Sequence, residues 1–421
     1  MRRTNFSGKL QSLAARGGII VFFLMAFEVM IMISPFAFFF YSVFNPFLHW
    51  LGNYTATRWL TAFFLPHMIL PPTLFLKAVR ILGSILFLVG ALTFIICCLQ
   101  VYWGKVFKGG IAQKGLYKYI RHPQYLALGL WGTGMAILWA RFLVLASLAI
   151  MFVLYYALAK EEERRMLSLY GEGYRNYIHN TAMFFPKPVE KFLCLPFRSM
   201  HGALKHGVVS FSIVAIVIGA GFLLRSITLQ SLGLRTAGNI TVVSILPEDS
   251  VKGQTVLEKI NLTRLEFLDA KKDYLAYVMP GDYIMQGMIA DTGGAFHLHH
   301  GHNTFALITD WVIHPFEHLR RSPAEQMARM HGVDPAIARK HHCPIAVPHN
   351  LNCENCPYRR IIFVEVDHAG KERLAGENLF AFGTSRTPVG FIDVNTVTAQ
   401  IVSSQRVGKA TAWMDVPTPS I

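Results

Sequence analysis

An arginine and a histidine stand side by side at Arg121 and His122, followed by Pro123 and then by Tyr125. Further along comes an acidic pair, Glu162 and Glu163, with Tyr117 and Tyr174 flanking the two groups. These types suit a small zwitterionic ligand. A guanidinium grips a carboxylate through two parallel hydrogen bonds, and an imidazole gives or takes a proton near neutral pH. A carboxylate holds an ammonium or accepts a proton. A plainer reading stands beside this one. Lys160 to Arg165 then forms a solvated helical stretch with charges paired at i,i+4. Arg-His-Pro is in that case only a helix start at the wet side of a bilayer, where proline is tolerated in the first turn.

The element that must bring these groups together is a helical hairpin. Residues 124–139 (QYLALGLWGTGMAILW) and 142–159 (FLVLASLAIMFVLYYALA) are apolar, and only Ala140 and Arg141 separate them. So short a connection returns the chain to the face it left. Arg121 and His122 at the entry therefore share one side with Glu162 and Glu163 at the exit.

The rest of the chain fits a membrane setting. Of 421 residues, 53% are hydrophobic and 15% charged, against the roughly 25% charged residues of ordinary globular chains. Spans need about 20 apolar residues each. Besides the hairpin, residues 18–44, 79–104 and 208–224 qualify, which makes about five spans. The first follows the basic start MRRTNFSGKL, but its run is too long for a signal peptide and no small-residue cleavage site follows. Residues 45–78 read as an outer segment with interfacial aromatics and a stop at Pro71–Pro72.

The net charge of +15 does not point to nucleic acid. Residues 1–229 carry 22 Lys and Arg against 6 Asp and Glu, whereas residues 230–421 carry 18 against 19. The excess lies in the greasy half, where it marks cytoplasmic helix ends. The N-terminus and the loops at 105–123 and 160–205 hold 4, 5 and 8 basic residues, and the opposite segments hold only Arg58, Lys77 and Arg141. The expected protein is integral to the inner (cytoplasmic) membrane with its N-terminus cytoplasmic. An α-helical polytopic domain, including the tight hairpin, is followed by a periplasmic, β-rich α+β domain. The boundaries read as 1–205, then a fifth span and linker at 206–229, then 230–421.

Taken together, GLYKYIRHPQY, the apolar hairpin and EEERRMLSLYGEGYRNYIHNTAMFFP are similar to the integral-membrane methyltransferase superfamily. That superfamily includes isoprenylcysteine carboxyl methyltransferases and phospholipid N-methyltransferases. The resemblance covers about 79–188 and departs mildly at Met166, where leucine is usual. It implies S-adenosylmethionine as cofactor and an amphiphilic small-molecule acceptor arriving from the lipid bilayer. It also implies cofactor contacts from Tyr117, Arg121, His122, Pro123, Tyr125, Glu162 and Glu163, with Glu162, Glu163 and Arg121 nearest the chemistry. Methyl transfer is an in-line displacement that chiefly requires near-attack geometry, and an amine acceptor also needs a base. Sterol reductases that use NADPH carry a related motif, RHPNY followed by Gly-Glu. Here Tyr125 is followed by Leu126, Ala127 and Leu128, and the double glutamate favours methyl transfer. A rival reading keeps the scaffold without the activity, as a subunit among other membrane subunits.

Two further features stand outside the motif. Glu28 lies mid-span, where a carboxyl is a functional suspect by default. In the exported half, FHLHHGHNTF contributes His297, His299, His300 and His302, and HHCPIAVPHNLNCENCP contributes His341, His342, Cys343, Cys353 and Cys356. Such a set fits zinc, copper or iron. Covalent haem is disfavoured because Pro357 stands where Cys-x-x-Cys-His needs its histidine. Outside the cytoplasm Cys353 and Cys356 equally suit a disulfide. The expected strands are 239–246, 274–290, 303–313, 360–367 and 389–404, with one helix at 322–332.

Overall fold

A computed structural model describes residues 47–107 except 49, 67, 68 and 70; 113–246 except 198 and 201; 249–260, 262, 265–279, 289–290, 357–367 and 376–407. The first expected span with Glu28 lies outside the described residues. So do the strand at 303–313, the helix at 322–332, and every proposed metal ligand from His297 to Cys356. Among the described residues no group of three His, Cys, Asp or Glu is placed to hold a metal. The described chain divides into two compact units, one within 75–224 and one combining 47–74 with 225–407.

The first unit is helical. α1 (Leu74–Phe107) leads to the hairpin of α2 (Pro123–Leu138) and α3 (Phe142–Asn180), then to the short α4 (Lys187–Cys194) and to α5 (Gly202–Ser231), which from Arg225 on belongs to the second unit. Among the described residues three helices are long and apolar enough to cross a membrane, over Leu74–Val101, Phe142–Asn180 and Leu204–Ser231. α2, expected as a span, has 16 residues. That is about 24 Å, short of the ~30 Å hydrocarbon core. Small residues let α1 and α2 approach closely. A Cβ added at Gly134 would stand 2.7 Å from the Gly83 carbonyl oxygen, and one at Gly90 would stand 2.9 Å from that of Ala127. At the hairpin turn Arg141 is fully buried, its guanidinium 5.9 Å above the Trp139 ring.

α3 is not straight. Gly171, at φ 52° and ψ −125°, interrupts its helical backbone. Glycine alone adopts such a conformation without strain. The redirected last turns bury Tyr174 and Tyr177.

The second unit is built on a six-stranded mixed sheet in the order β1 (Arg235–Ala237), β2 (Ile240–Ser244), β3 (Asp273–Met279), β4 (Tyr358–Asp367), β5 (Ser385–Asn395) and β6 (Gln400–Arg406). Only β2 and β3 pair in parallel, and α6 (Asp249–Lys259) connects them. Side chains alternate between two apolar layers as the strand period of two requires. Val243, Leu275, Tyr277, Ile362 and Phe391 face one core, while Val242, Ala276, Ile361 and Ile392 face the other with Val256 and Leu257 of α6.

Two expectations need correction. Residues 389–404 read as one strand but form the hairpin β5–β6. Asn395 Oδ1 accepts the Val397 and Thr398 amides at 2.9 and 3.2 Å, and Ala399 takes a left-handed φ of 57°. Helix α6 and strand β1 were not expected at all. The segment after residue 46 also packs into this unit. Phe63, Phe64 and Ile69 are buried, and Thr228 near the end of α5 donates to the Phe64 carbonyl at 3.1 Å. Residues 47–74 and the sheet therefore belong to one compact unit.

Candidate active site

The hairpin does bring the cationic and acidic pairs together. Arg121 Nε donates to Glu163 Oε1 at 2.6 Å, with side chains 7% and 9% exposed. Its Nη1 donates to the carbonyls of Ile178 and Thr181 at 3.1 and 2.5 Å. These oxygens belong to the unpaired end of α3, so Arg121 both neutralises a buried carboxylate and caps a helix C-terminus. Lys160 Nζ approaches the other oxygen of Glu163 at 3.4 Å.

His122 sits between the glutamates. Its Nδ1 is 3.6 Å from Glu162 Oε2 and its Nε2 is 3.6 Å from Glu163 Oε1, while the side chain is only 2% exposed. Both ring nitrogens are buried without a hydrogen-bond partner. Burial by itself would lower the His122 pKa, but the two carboxylates outweigh it and hold the imidazolium above its ordinary 6.5. Consecutive helical residues point about 100° apart. Glu163 is therefore turned inward, and Glu162, 45% exposed, faces outward.

The loop carrying Arg121 and His122 is fixed by backbone pairing with the chain leaving α3. Ala182 N donates to Tyr119 O at 3.1 Å, Arg121 N to Ala182 O at 2.8 Å, and His122 N to Met183 O at 3.1 Å. Glu190 of α4 secures that partner from behind, accepting the Met183 and Phe184 amides at 2.6 and 3.3 Å. Pro123 occupies the first turn of α2, where its missing N–H would have lacked an intrahelical acceptor. Tyr117 is a tie within this frame. Its hydroxyl donates to Gln124 Oε1 at 2.9 Å, and its carbonyl accepts the Tyr177 hydroxyl at 2.6 Å. Burial, then nearby anionic groups, raises the Tyr117 pKa.

Tyr125 stacks on the His122 ring at 5.6 Å and on Tyr155 at 5.2 Å. Sequence reasoning missed Tyr155, as it missed Lys160, Tyr177, Thr181 and Glu190. Tyr155 had a signal: it precedes Glu162 and Glu163 at seven- and eight-residue spacing, which shares a helix face. Tyr174 is buried beside Tyr177, with ring centroids 5.7 Å apart.

Comparison with known proteins reaches this unit alone. No curated protein and no solved structure matches the chain. Residues 78–173 match the family model described as phospholipid methyltransferase. That stretch holds Arg121, His122, Tyr125, Tyr155, Glu162 and Glu163, and it ends before the sheet unit begins. Within the helical unit, residues 78–173 are thus similar to phospholipid methyltransferases, consistent with the membrane methyltransferase superfamily.

Proposed function

We propose that the helical unit transfers a methyl group from S-adenosylmethionine to a lipid-like or amphiphilic acceptor, at the cytoplasmic mouth of the hairpin. The observation that carries this reading is His122, buried between two carboxylates with neither ring nitrogen hydrogen-bonded. At 3.6 Å the two carboxylates balance its charge without a good hydrogen bond, so a ligand oxygen within reach would complete its bonding. The surrounding donor set fits the cofactor. His122 offers a hydrogen bond to a carboxylate, Glu162 complements an ammonium or sulfonium, and the Tyr125–Tyr155 stack presents aromatic faces to a cation. Bound there, the cofactor would supply an electrophilic methyl group.

The protein's own residues then divide the work. Glu162 is the available carboxylate, able to accept a proton from an amine acceptor. Glu163 is held by Arg121 and keeps His122 charged. Arg121 and Glu190 are positioning residues that hold the His122 loop against the end of α3. The test is calorimetric binding of S-adenosylmethionine to the full-length protein in detergent. The expected result is binding by the wild type and at least tenfold weaker binding by His122→Gln and Glu162→Gln. A folded wild type that does not bind would overturn the proposal and leave the motif as scaffold.

A further inference from the structure

Three arginines converge in the second unit, on the loop at 379–383. Arg225, buried near the end of the apolar helix α5, donates from Nη1 to Phe63 O and from Nη2 to Phe380 O at 2.6 Å. Its guanidinium lies 4.6 Å above the Phe382 ring. Arg386 of β5 donates to Leu379 O at 3.0 Å and lies 5.7 Å from the Phe380 ring centroid. Arg58 donates to Thr55 and packs its guanidinium against Gly383, whose φ is 87°.

Among the described residues no carboxylate stands within ion-pair distance of any of the three. The Nε atoms of Arg58 and Arg386 are buried and have no hydrogen-bond partner. The unit's other buried arginine among the described residues, Arg360, is by contrast fully paired, with Asp393 at 2.8 and 2.9 Å. Arginine does not deprotonate in proteins, and a buried charge calls for a counter-charge. Carbonyls and aromatic faces soften the charge of this cluster without cancelling it. Arg58 and Arg386 are half-buried, so solvent reaches the cluster along their side chains.

We propose that Arg58, Arg225 and Arg386 form an anion site for a phosphate group, carried by a phospholipid headgroup or as soluble phosphate. Planar guanidinium forks match phosphate oxygens, and three fixed cations suit a group bearing one to two negative charges. Arg225 sits near the end of a membrane-length helix, where headgroup phosphates lie. The site is built wholly within the sheet unit and stands independently of methyl transfer.

The experiment uses full-length, delipidated protein in detergent, titrated separately with dihexanoyl phosphatidylglycerol, dihexanoyl glycerol and inorganic phosphate. Thermal shift and native mass spectrometry read out binding. Arg58→Gln and Arg386→Gln are compared with wild type, and Arg406→Gln on the exposed strand β6 serves as control. Arg225 is left intact because its hydrogen bonds also hold the fold. At least tenfold weaker phospholipid binding in both variants, with the control unchanged and dihexanoyl glycerol inert, supports a headgroup site. Inorganic phosphate binding with the same arginine dependence, and competing with the lipid, supports the site with soluble phosphate as its ligand. Equal binding by all variants, equal binding of dihexanoyl glycerol, or no binding of either phosphate probe overturns it.

Discussion

Arg121 Nε and Glu163 Oε1 meet at 2.6 Å across two helices, and the same guanidinium closes the carbonyl end of α3. One side chain thus joins the start of α2, the middle of α3 and the end of α3. Removing one partner of a buried pair leaves an uncompensated charge and typically costs about 3–5 kcal/mol. Arg121→Ala and Glu163→Gln should therefore both lower the thermal midpoint of the detergent-solubilised protein, Arg121→Ala the more because it also removes the cap on α3. A wild-type midpoint in both variants would show that the pair does not organise the unit.

The His122 imidazolium is stabilised in the folded protein by Glu162 and Glu163, so its pKa lies above the ordinary 6.5. A raised folded pKa contributes stability that is complete below the ordinary value and is lost as pH rises through the folded value. The stability gap between wild type and His122→Gln should be widest in mildly acidic buffer and should shrink at alkaline pH. Melting curves across that range decide it, and a gap that grows with pH would contradict the charge assignment.

Glu190 accepts two amides from the strand that pairs with the His122 loop. Glu190→Ala leaves those donors to find other partners, and each buried one left unsatisfied costs about 1–3 kcal/mol. If Glu190 positions the loop, Glu190→Gln should restore much of what Glu190→Ala loses in S-adenosylmethionine affinity. Equal losses in the two variants would argue for a role of the charge itself.

Gly171 has open space around the position of a Cβ, so Gly171→Ala meets backbone strain alone. Sparsely populated backbone regions cost on the order of 1–3 kcal/mol. The relaxed variant should straighten α3 and free Tyr174 and Tyr177 from their buried positions. Faster tyrosine iodination or proteolysis within 171–183 would register this. Wild-type protection would show that packing, not Gly171, sets the kink.

The hairpin and its two charged pairs were legible because only Ala140 and Arg141 separate two long apolar runs, a spacing that leaves little topological choice. The division of roles between Glu162 and Glu163 was not, since it depends on which neighbour Arg121 reaches in three dimensions. The Gly171 kink was hidden for a related reason: glycine in a polar helix signals tolerance as often as necessity. In the sheet unit, the β5–β6 hairpin escaped notice because its turn uses Asn395 and a left-handed Ala399 instead of glycine. Helix α6 was obscured by Gly253, which lies against the Val242 and Val278 side chains. Arg225 directly follows the expected span at 208–224, and the fold places it within the second unit.

α3 also acts as a depth gauge. Counted from Phe142 at 1.5 Å per residue, Glu163 comes about 31 Å along the helix, close to the thickness of one hydrocarbon core. On a helix entering the bilayer at Phe142, that length brings the carboxylates to the boundary of oil and water, with Tyr155 about two turns deeper. In the proposed reaction a water-borne donor and an oil-borne acceptor would approach along perpendicular routes, and neither would have to cross the other's solvent. Inserting one helical turn before Tyr155 would lift the carboxylates about 5.4 Å, and in the proposed reaction would strand the donor above its acceptor.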